Sequence, residues 1–219
     1  RAANSTYATF YLRNGSNYWN TMPYKDAWIV KSMAKSNTAY SAYTPVTVFL
    51  NGQYWGFYEL REKQDKDYFK NNYGADTRNL DILSVSYFYG GSLRTVTGSD
   101  TGWYNMYNKF NALDATDPDF LKKANGMLDL DDYTDYMIAQ TWFGNYDWPY
   151  NNIKIWRSRT TDNKWHYSLI DLELALGGWS SPWDDFINWV YPGPNGTHTE
   201  FFSKLMQNPT YRKNFINRN

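Results

Sequence analysis

The chain contains no cysteine. Disulfide scaffolds, thiolate-held zinc, iron–sulfur clusters and thiol nucleophiles are excluded with it. Histidine is nearly as scarce. His166 and His198 are the only two, so a histidine-rich metal centre is unavailable and a Ser–His–Asp triad has few ways to form. Neither sign of charge is in excess: Lys plus Arg and Asp plus Glu number 22 each. The basic surplus of a generic nucleic-acid or anionic-membrane binder is missing, and no nucleic-acid partner is expected. Long hydrophobic runs are missing too. The longest aliphatic stretch, residues 46–50, is far shorter than the roughly 20 residues of a spanning helix, so no membrane span is expected. No signal-like segment opens the chain, and a start at Arg1 without methionine reads as a mature or excised piece.

What the sequence has in plenty is aromatic side chains. Eleven Trp, 21 Tyr and 12 Phe bring aromatic content to 20% of 219 residues. Many sit beside Asn or Gly, as in Asn17-Tyr18-Trp19-Asn20 and Gly102-Trp103-Tyr104-Asn105. Tyr and Trp bury large areas and keep a polar handle. Most are expected to fill a core; the composition also suits exported proteins that meet polysaccharide.

Local patterns give an order of elements. Residues 7–12 read as a strand, 13–17 as a turn-rich loop, and 24–35 as a helix behind Pro23. Residues 45–50 and 53–60 flank Asn51-Gly52, and Asn-Gly between strand-like runs is a strong hairpin signal because both residues accept positive φ. The charged run 61–72 reads as a helix, with Glu59, Glu62, Lys63 and Lys66 as a candidate solvated face. Residues 87–102 read as a Gly/Ser/Thr-rich loop. Helices are expected over 103–113, 119–127 and 131–144, strands over 153–157 and 165–170, and helices over 200–206 and 211–216, separated at Pro209. The whole reads as α+β with two unequal lobes, 1–62 and 63–219.

One stretch carries candidate chemistry. Asp147 and Asn152 lie five apart, between a helix and a hairpin that ends in Asp171. Phosphoryl transfer uses the same spacing: an Asp accepts the substrate hydroxyl proton, an Asn holds a metal ion, and a second Asp after a hairpin carries Mg²⁺. Mg²⁺ prefers a few carboxylate or amide oxygens plus phosphate, which Asp171 and Asn152 can supply. Trp148-Pro149 stiffens the loop. The alternative is that Asp147 caps a turn and Asn151 and Asn152 bond local backbone.

Four segments resemble the CotH kinase family, atypical protein kinases named after a spore-coat protein. They are Leu12-Arg13-Asn14-Gly15, the run 48–63 (VFLNGQYWGFYELREK), Asn145-Tyr-Asp147-Trp-Pro-Tyr-Asn151-Asn152, and the run 165–173 (WHYSLIDLE). The resemblance implies a divergent kinase-like fold with a small β-rich N-lobe and a larger helical C-lobe. It implies transfer of the ATP γ-phosphate to Ser/Thr hydroxyls of a protein substrate with Mg²⁺ or Mn²⁺, Asp147 as the catalytic aspartate and Asp171 as the metal aspartate. Residues 61–63 would be the hinge, with Glu62 or Asp65 near the nucleotide. Arg13 would touch phosphate or pair with a carboxylate, and Asp26 would partner an ATP-binding lysine. Asn151 and Glu173 would be accessory. A bacterial, extracytoplasmic location (secreted, cell-surface or spore-coat) follows from the same likeness. Two departures stand out. The family's Asp-x-Asp followed by Gly-Phe-Gly is here Asp171-Leu172-Glu173 and then Leu-Ala-Leu-Gly-Gly, one methylene longer at 173. The family's upstream strands and final helices also lie outside the sequence, so a fragment with a truncated N-lobe is expected.

Competing readings remain at this stage. One is a non-catalytic carbohydrate-binding surface module on aromatic platforms, another a kinase-like pseudoenzyme, a third a glycosidase pairing Asp171 with Glu173 on one strand face. Trp179, Trp183 and Trp189 follow Asp171 where a kinase would meet its substrate. His166 reads as structural or exposed, and His198 as a loop residue. Asn4, Asn14 and Asn195 match the glycosylation sequon, and Gly90-Gly91 and Gly177-Gly178 read as turns.

Overall fold

The computed structural model describes residues 7–177, 179–193 and 196–218. The sequons at Asn4 and Asn195, and Gly178 of the second glycine pair, lie outside them. Two sheets organise the chain. The first is antiparallel, with strands β1 (Phe10–Arg13), β3 (Tyr43–Leu50) and β4 (Gln53–Glu62) in the order β1-β4-β3. Asn51 and Gly52 both take positive φ, 51° and 81°, and close the β3–β4 hairpin as the sequence predicts.

The second sheet has the order β2-β8-β7-β5-β6, from β2 (Ala39–Tyr40), β5 (Leu80–Val85), β6 (Leu93–Thr97), β7 (Ile153–Ser158) and β8 (His166–Leu169). Strand β2 pairs in parallel with β8; the other pairs are antiparallel. The architecture is α+β, as expected, with helices α1 (Lys25–Ser32), α2 (Lys66–Tyr73), α3 (Thr101–Asn111), α4 (Phe120–Asn125), α5 (Leu130–Trp142), α6 (Phe186–Val190), α7 (Thr197–Leu205) and α8 (Pro209–Arg218) among the described residues.

Both faces of the second sheet are covered. Leu83, Val85, Ile153, Ile155, Tyr167 and Leu169 join a large core with α3, α5, α7 and α8. Ile82 and Trp156 point the other way, onto Tyr68 and Phe69 of α2. Ile29 and Val30 of α1 belong to the large core as well, so α1 and β2 both tie the N-terminal portion to the helical body.

Several local expectations are corrected. β4 runs on to Glu62, so Glu59 and Glu62 are buried strand residues and not a solvated helical face; α2 begins only at Lys66, behind its Asp65 cap. β6 lies within the expected loop 87–102 as an exposed edge strand. Pro209 opens α8, where its missing N–H costs nothing, so it starts a helix and does not interrupt one. His198 lies in α7, not a loop. It is buried, stacked on Trp103 at 5.3 Å and bonded through Nδ1 to the Tyr167 hydroxyl at 2.9 Å. Burial pushes its pKa down to about 4, so it is a neutral core imidazole.

Only part of the aromatic surplus builds this core, against the expectation; a comparable share, including Trp19, Tyr54, Trp55 and Trp183, stays exposed. Phe201 is fully buried and meets the rings of Trp103, Tyr107, Phe110 and Tyr133 at centroid distances of 5.6, 5.8, 4.7 and 6.2 Å. Edge-to-face pairs of this kind add to the burial they accompany. Phe201→Ala is expected to cost about 3–5 kcal/mol in urea unfolding; a loss below about 1 kcal/mol would contradict this packing.

Candidate active site

The loop after α5 is held rigidly. Gly144 turns the chain at φ 60°, and the Asn145 side-chain amide donates to Gln140 Oε1 at 2.9 Å. Trp148 is fully buried and donates from Nε1 to the Tyr136 hydroxyl at 2.9 Å, which pins the loop back onto α5. Between these anchors stands Asp147. Its Oδ2 accepts from the amides of Asn151 and Asn152, each at 2.9 Å. Its Oδ1 is buried with no hydrogen-bond partner among the described residues. Asn151 is itself fixed, since its Oδ1 accepts from the Tyr87 N–H at 2.9 Å. Burial pushes the Asp147 pKa up to about 6. The Asn151 hydrogen bond opposes the rise, and the negative charges of Asp171 and Glu173 add to it.

Asp171 follows β8 in a left-handed conformation, φ 54°, as does Asn152 at the same angle. Such backbone is costly for residues other than glycine and clusters at functional sites. Arg13 donates to Asp171 Oδ1 and, at 2.8 Å, to Glu173 Oε2. Asn17 donates to Glu173 Oε1 at 2.7 Å, so both Glu173 oxygens are engaged. Neither acid lies on a strand, and they converge on one guanidinium, which is not the arrangement of carboxylates flanking a sugar.

Behind this pair lies a buried charge cluster. Asp26, in the first turn of α1, accepts from Arg61 through Oδ2 and from the Leu172 N–H through Oδ1 at 2.5 Å, with Arg13 Nη1 at 3.8 Å. Burial pushes the Asp26 carboxyl up, but Arg61 and Arg13 outweigh it and hold the group below the usual carboxylate range. Its partners are two arginines and not the lysine expected from the resemblance. Glu59 is fully buried, 3.7 Å from Arg61, with neither oxygen hydrogen-bonded among the described residues. Burial raises it to about 7 against the pull of Arg61.

A cavity of about 500 Å³ opens in front, within the usual range for a small-molecule site. Arg13, Asn152, Asp171, Glu62, Gln64, Ser41 and Lys154 are among its walls. Lys154 donates from Nζ to the Gln64 carbonyl at 3.1 Å, and burial pushes its pKa down to about 8. Gln64 donates to the Leu169 carbonyl at 3.2 Å, while its Oε1 is buried without a partner.

The geometry therefore gathers Arg13, Asn152, Asp171 and Glu62 around one cavity, with Asp26 and Glu173 behind Arg13 and with Asp147 and Asn151 bonded to or beside Asn152. Asp65 is not among the walls. Its Oδ1 caps α2 by accepting from the Asp67 and Tyr68 N–H groups, and its Oδ2 accepts from Thr9 at 2.6 Å. The Glu62 carboxylate is turned to the Ala42 N–H at 2.8 Å and to Asn72. Lys154 and Gln64 do not stand out in the sequence, and Arg61 does so only as a hinge residue, not as the partner of Asp26. The i, i+2 spacing of Glu59 and Arg61 on one strand face was the available signal; for Lys154, alternation against the apolar Ile153 and Ile155 was the only one.

The donor set suits a hard divalent cation. Asn152 commits its amide nitrogen to Asp147, leaving its oxygen; among the described residues Asp171 Oδ2 and Asp147 Oδ1 have no hydrogen-bond partner. Five carboxylates gather near two arginines and Lys25, so added positive charge is electrostatically favoured.

Among known proteins, a family model described as CotH kinase protein matches residues 17–219. No curated protein matches the chain.

Removing the charge of Asp26 leaves Arg61 buried without its closest anion. Asp26→Asn is expected to lower stability by about 3–5 kcal/mol in denaturant unfolding at pH 7. Because the Asp26 pKa is depressed in the fold, its contribution is present above the unfolded carboxylate value and is lost as pH falls through the folded one, so wild type and variant converge in acid. Curves that stay parallel from pH 7 into acid would refute this assignment.

Proposed function

The chain belongs to the CotH kinase family, and from that premise we propose that it transfers the γ-phosphoryl group of ATP to serine or threonine hydroxyls of proteins. The observation that supports this best is the Asp147 carboxylate, gripped by Asn151 and by Asn152, which itself walls the cavity together with Asp171. Asp147 takes the acceptor hydroxyl proton. The freed oxygen bonds to the γ-phosphorus, the bond from that phosphorus to its bridging oxygen breaks, and ADP leaves with the electron pair. Asp171 Oδ2 and the Asn152 amide oxygen would hold Mg²⁺ or Mn²⁺, which neutralises phosphate charge when bound. Arg13 orients Asp171 and Glu173, a positioning task set by its hydrogen bonds to both.

The acceptor enters past exposed aromatics. Phe88, Trp179 and Trp183 are 95%, 74% and 90% exposed on segments flanking the Asp147 loop and following Asp171. Such rings stack on sugars as readily as on peptides, which fits an extracytoplasmic protein acting among polysaccharide or coat proteins. They also favour a second reading, a glycan-binding module whose kinase-like cleft transfers nothing.

Ligand-dependent melting separates the two. ATP with Mn²⁺ or Mg²⁺ at a hundredfold excess over Kd should stabilise the protein by about 2.7 kcal/mol. Asp171→Ala should abolish that gain, and Asp147→Asn should keep binding while lowering transfer about 10²–10⁴-fold. A flat response of the wild type to ATP would leave the glycan module standing.

The base must be ionised to accept a proton, and its pKa in the free protein is about 6. The pH profile of kcat/KM should therefore fall on the acid side with a limb near pH 6. The kcat limb should lie lower, because a bound cation favours the carboxylate. A profile flat from pH 5 to 8 would remove Asp147 from the proton transfer.

A further inference from the structure

A second acidic cavity, of about 450 Å³, lies at the start of α5 and is not the one that Asp171 and Asn152 wall. Asp129, Asp162 and His166 each place one ligand atom there, all within 4.8 Å of one another. The three come from different places in the chain. Asp129 caps α5, accepting the Asp131 and Asp132 N–H groups through Oδ1 at 3.1 Å, with no partner for Oδ2 among the described residues. Asp162 sits in the β7–β8 turn, accepting the Lys164 N–H through Oδ1 and meeting His166 Nε2 through Oδ2 at 2.9 Å. His166 opens β8 with its ring stacked on Trp156 at 4.5 Å.

The other face of that imidazole is set up as well. Nδ1 looks toward Asp132 Oδ2 at 3.9 Å, and Asp132 is buried and held by the Tyr167 N–H at 2.6 Å. A carboxylate on the side of one imidazole nitrogen, with the other nitrogen meeting Asp162, resembles the outer arrangement of metal-bound histidine. Charge points the same way. Arg218 pairs with Asp131, but Asp129, Asp132 and Asp162 meet no Lys or Arg side chain among the described residues. His166 carries at most one positive charge, and the α5 N-terminus adds roughly half of one, against three carboxylates. An independent sign is the Trp156 indole. It lines the same cavity, is 4% exposed, and its buried Nε1–H has no acceptor among the described residues.

We propose that Asp129, Asp162 and His166 bind a divalent first-row transition ion of the Zn²⁺ or Mn²⁺ class, which fastens the β7–β8 turn to the start of α5. One imidazole with carboxylates suits these ions better than Mg²⁺ or Ca²⁺, which take oxygen alone. A tetrahedral ion with bonds of about 2.1 Å spaces its ligands roughly 3.4 Å apart, so atoms already within the observed spread reach it by side-chain rotation. The clamp would brace α5 and β7, the two elements between which the Asp147 loop is strung. It does not depend on the kinase reading.

The test is calorimetric titration of the full chain with Zn²⁺ and with Mn²⁺, beside His166→Gln, Asp162→Asn and the cleft variant Asp171→Asn. Wild type and Asp171→Asn should share a site whose affinity drops at least tenfold in both His166→Gln and Asp162→Asn. Asp162 is partly exposed, so its variant should melt like the wild type without metal. Pulsed electron paramagnetic resonance of the Mn²⁺ form should show an imidazole nitrogen on the ion, lost in His166→Gln. Absence of uptake by wild type up to a millimolar, uptake indifferent to His166, or a spectrum without nitrogen would each overturn the proposal. Loss of ATP binding in Asp171→Asn with this site intact would concern the cleft alone.

Discussion

The carboxylate of Asp26 is the point on which the arrangement turns. It is buried at the start of α1, yet it joins four segments: α1 itself, β4 through Arg61, β1 through Arg13, and the chain after β8 through the Leu172 N–H. A lone buried carboxylate would cost several kcal/mol, and the same charge surrounded by two guanidiniums and a backbone donor is tolerated. The cost of dismantling it is what matters. Removing one partner strands a desolvated charge, so β1, β4 and the Asp171 segment are held as a unit by the penalty for separating them.

That constraint reaches the cleft through Arg13. One guanidinium spans Asp26 on one side and Asp171 and Glu173 on the other. Arg13 sits opposite Glu59 in the β1–β4 ladder, and Gly15, two residues on, follows at φ 85° where a Cβ would fall 2.3 Å from Pro23 Cα. The chain can make that turn only with glycine, and the turn delivers Asn17 to the second Glu173 oxygen. The Glu173 position, one methylene longer than the family's usual Asp, is consistent with this use. Its carboxylate is absorbed by Arg13 and Asn17 and supports Asp171 from behind.

Legibility in the sequence followed the range of the interaction. The Asn51-Gly52 hairpin, the Asp-capped α5 and the strand after Asn152 rest on local rules, and each forms close to its expected bounds. Strand β5 did not announce itself, because both its faces are covered and Leu80-Asp-Ile-Leu-Ser-Val carries no clean polar alternation. β6 is an exposed edge whose pairing with β5 is visible only once β5 exists. The candidate site divides in the same way. The Asp147–Asn152 spacing is short-range and readable, while the engagement of Arg13 with residues 158 and 160 positions away is not. Asp65, expected near the nucleotide, caps α2 through Oδ1 and is not among the cavity walls.

The same electrostatic logic ties the two acidic regions together. Near the cleft, burial raises Glu59 to about 7 and Asp147 to about 6, and neighbouring carboxylates, Asp26 and Glu173 for the first and Asp171 and Glu173 for the second, add to the rise. At the start of α5 burial raises Asp132 to about 7, with His166 opposing and Asp129 adding a lesser push. A protein of zero net charge has no global need to concentrate carboxylates. Folding that leaves three groups protonated above their ordinary range stores unfavourable energy at neutral pH, since stability from a raised carboxyl pKa is present in acid and lost as pH rises through the folded value. A divalent cation at each place would reverse that sign by making the ionised form the favoured one. The clustering makes physical sense for a molecule that works with positive charge supplied from outside its own sequence.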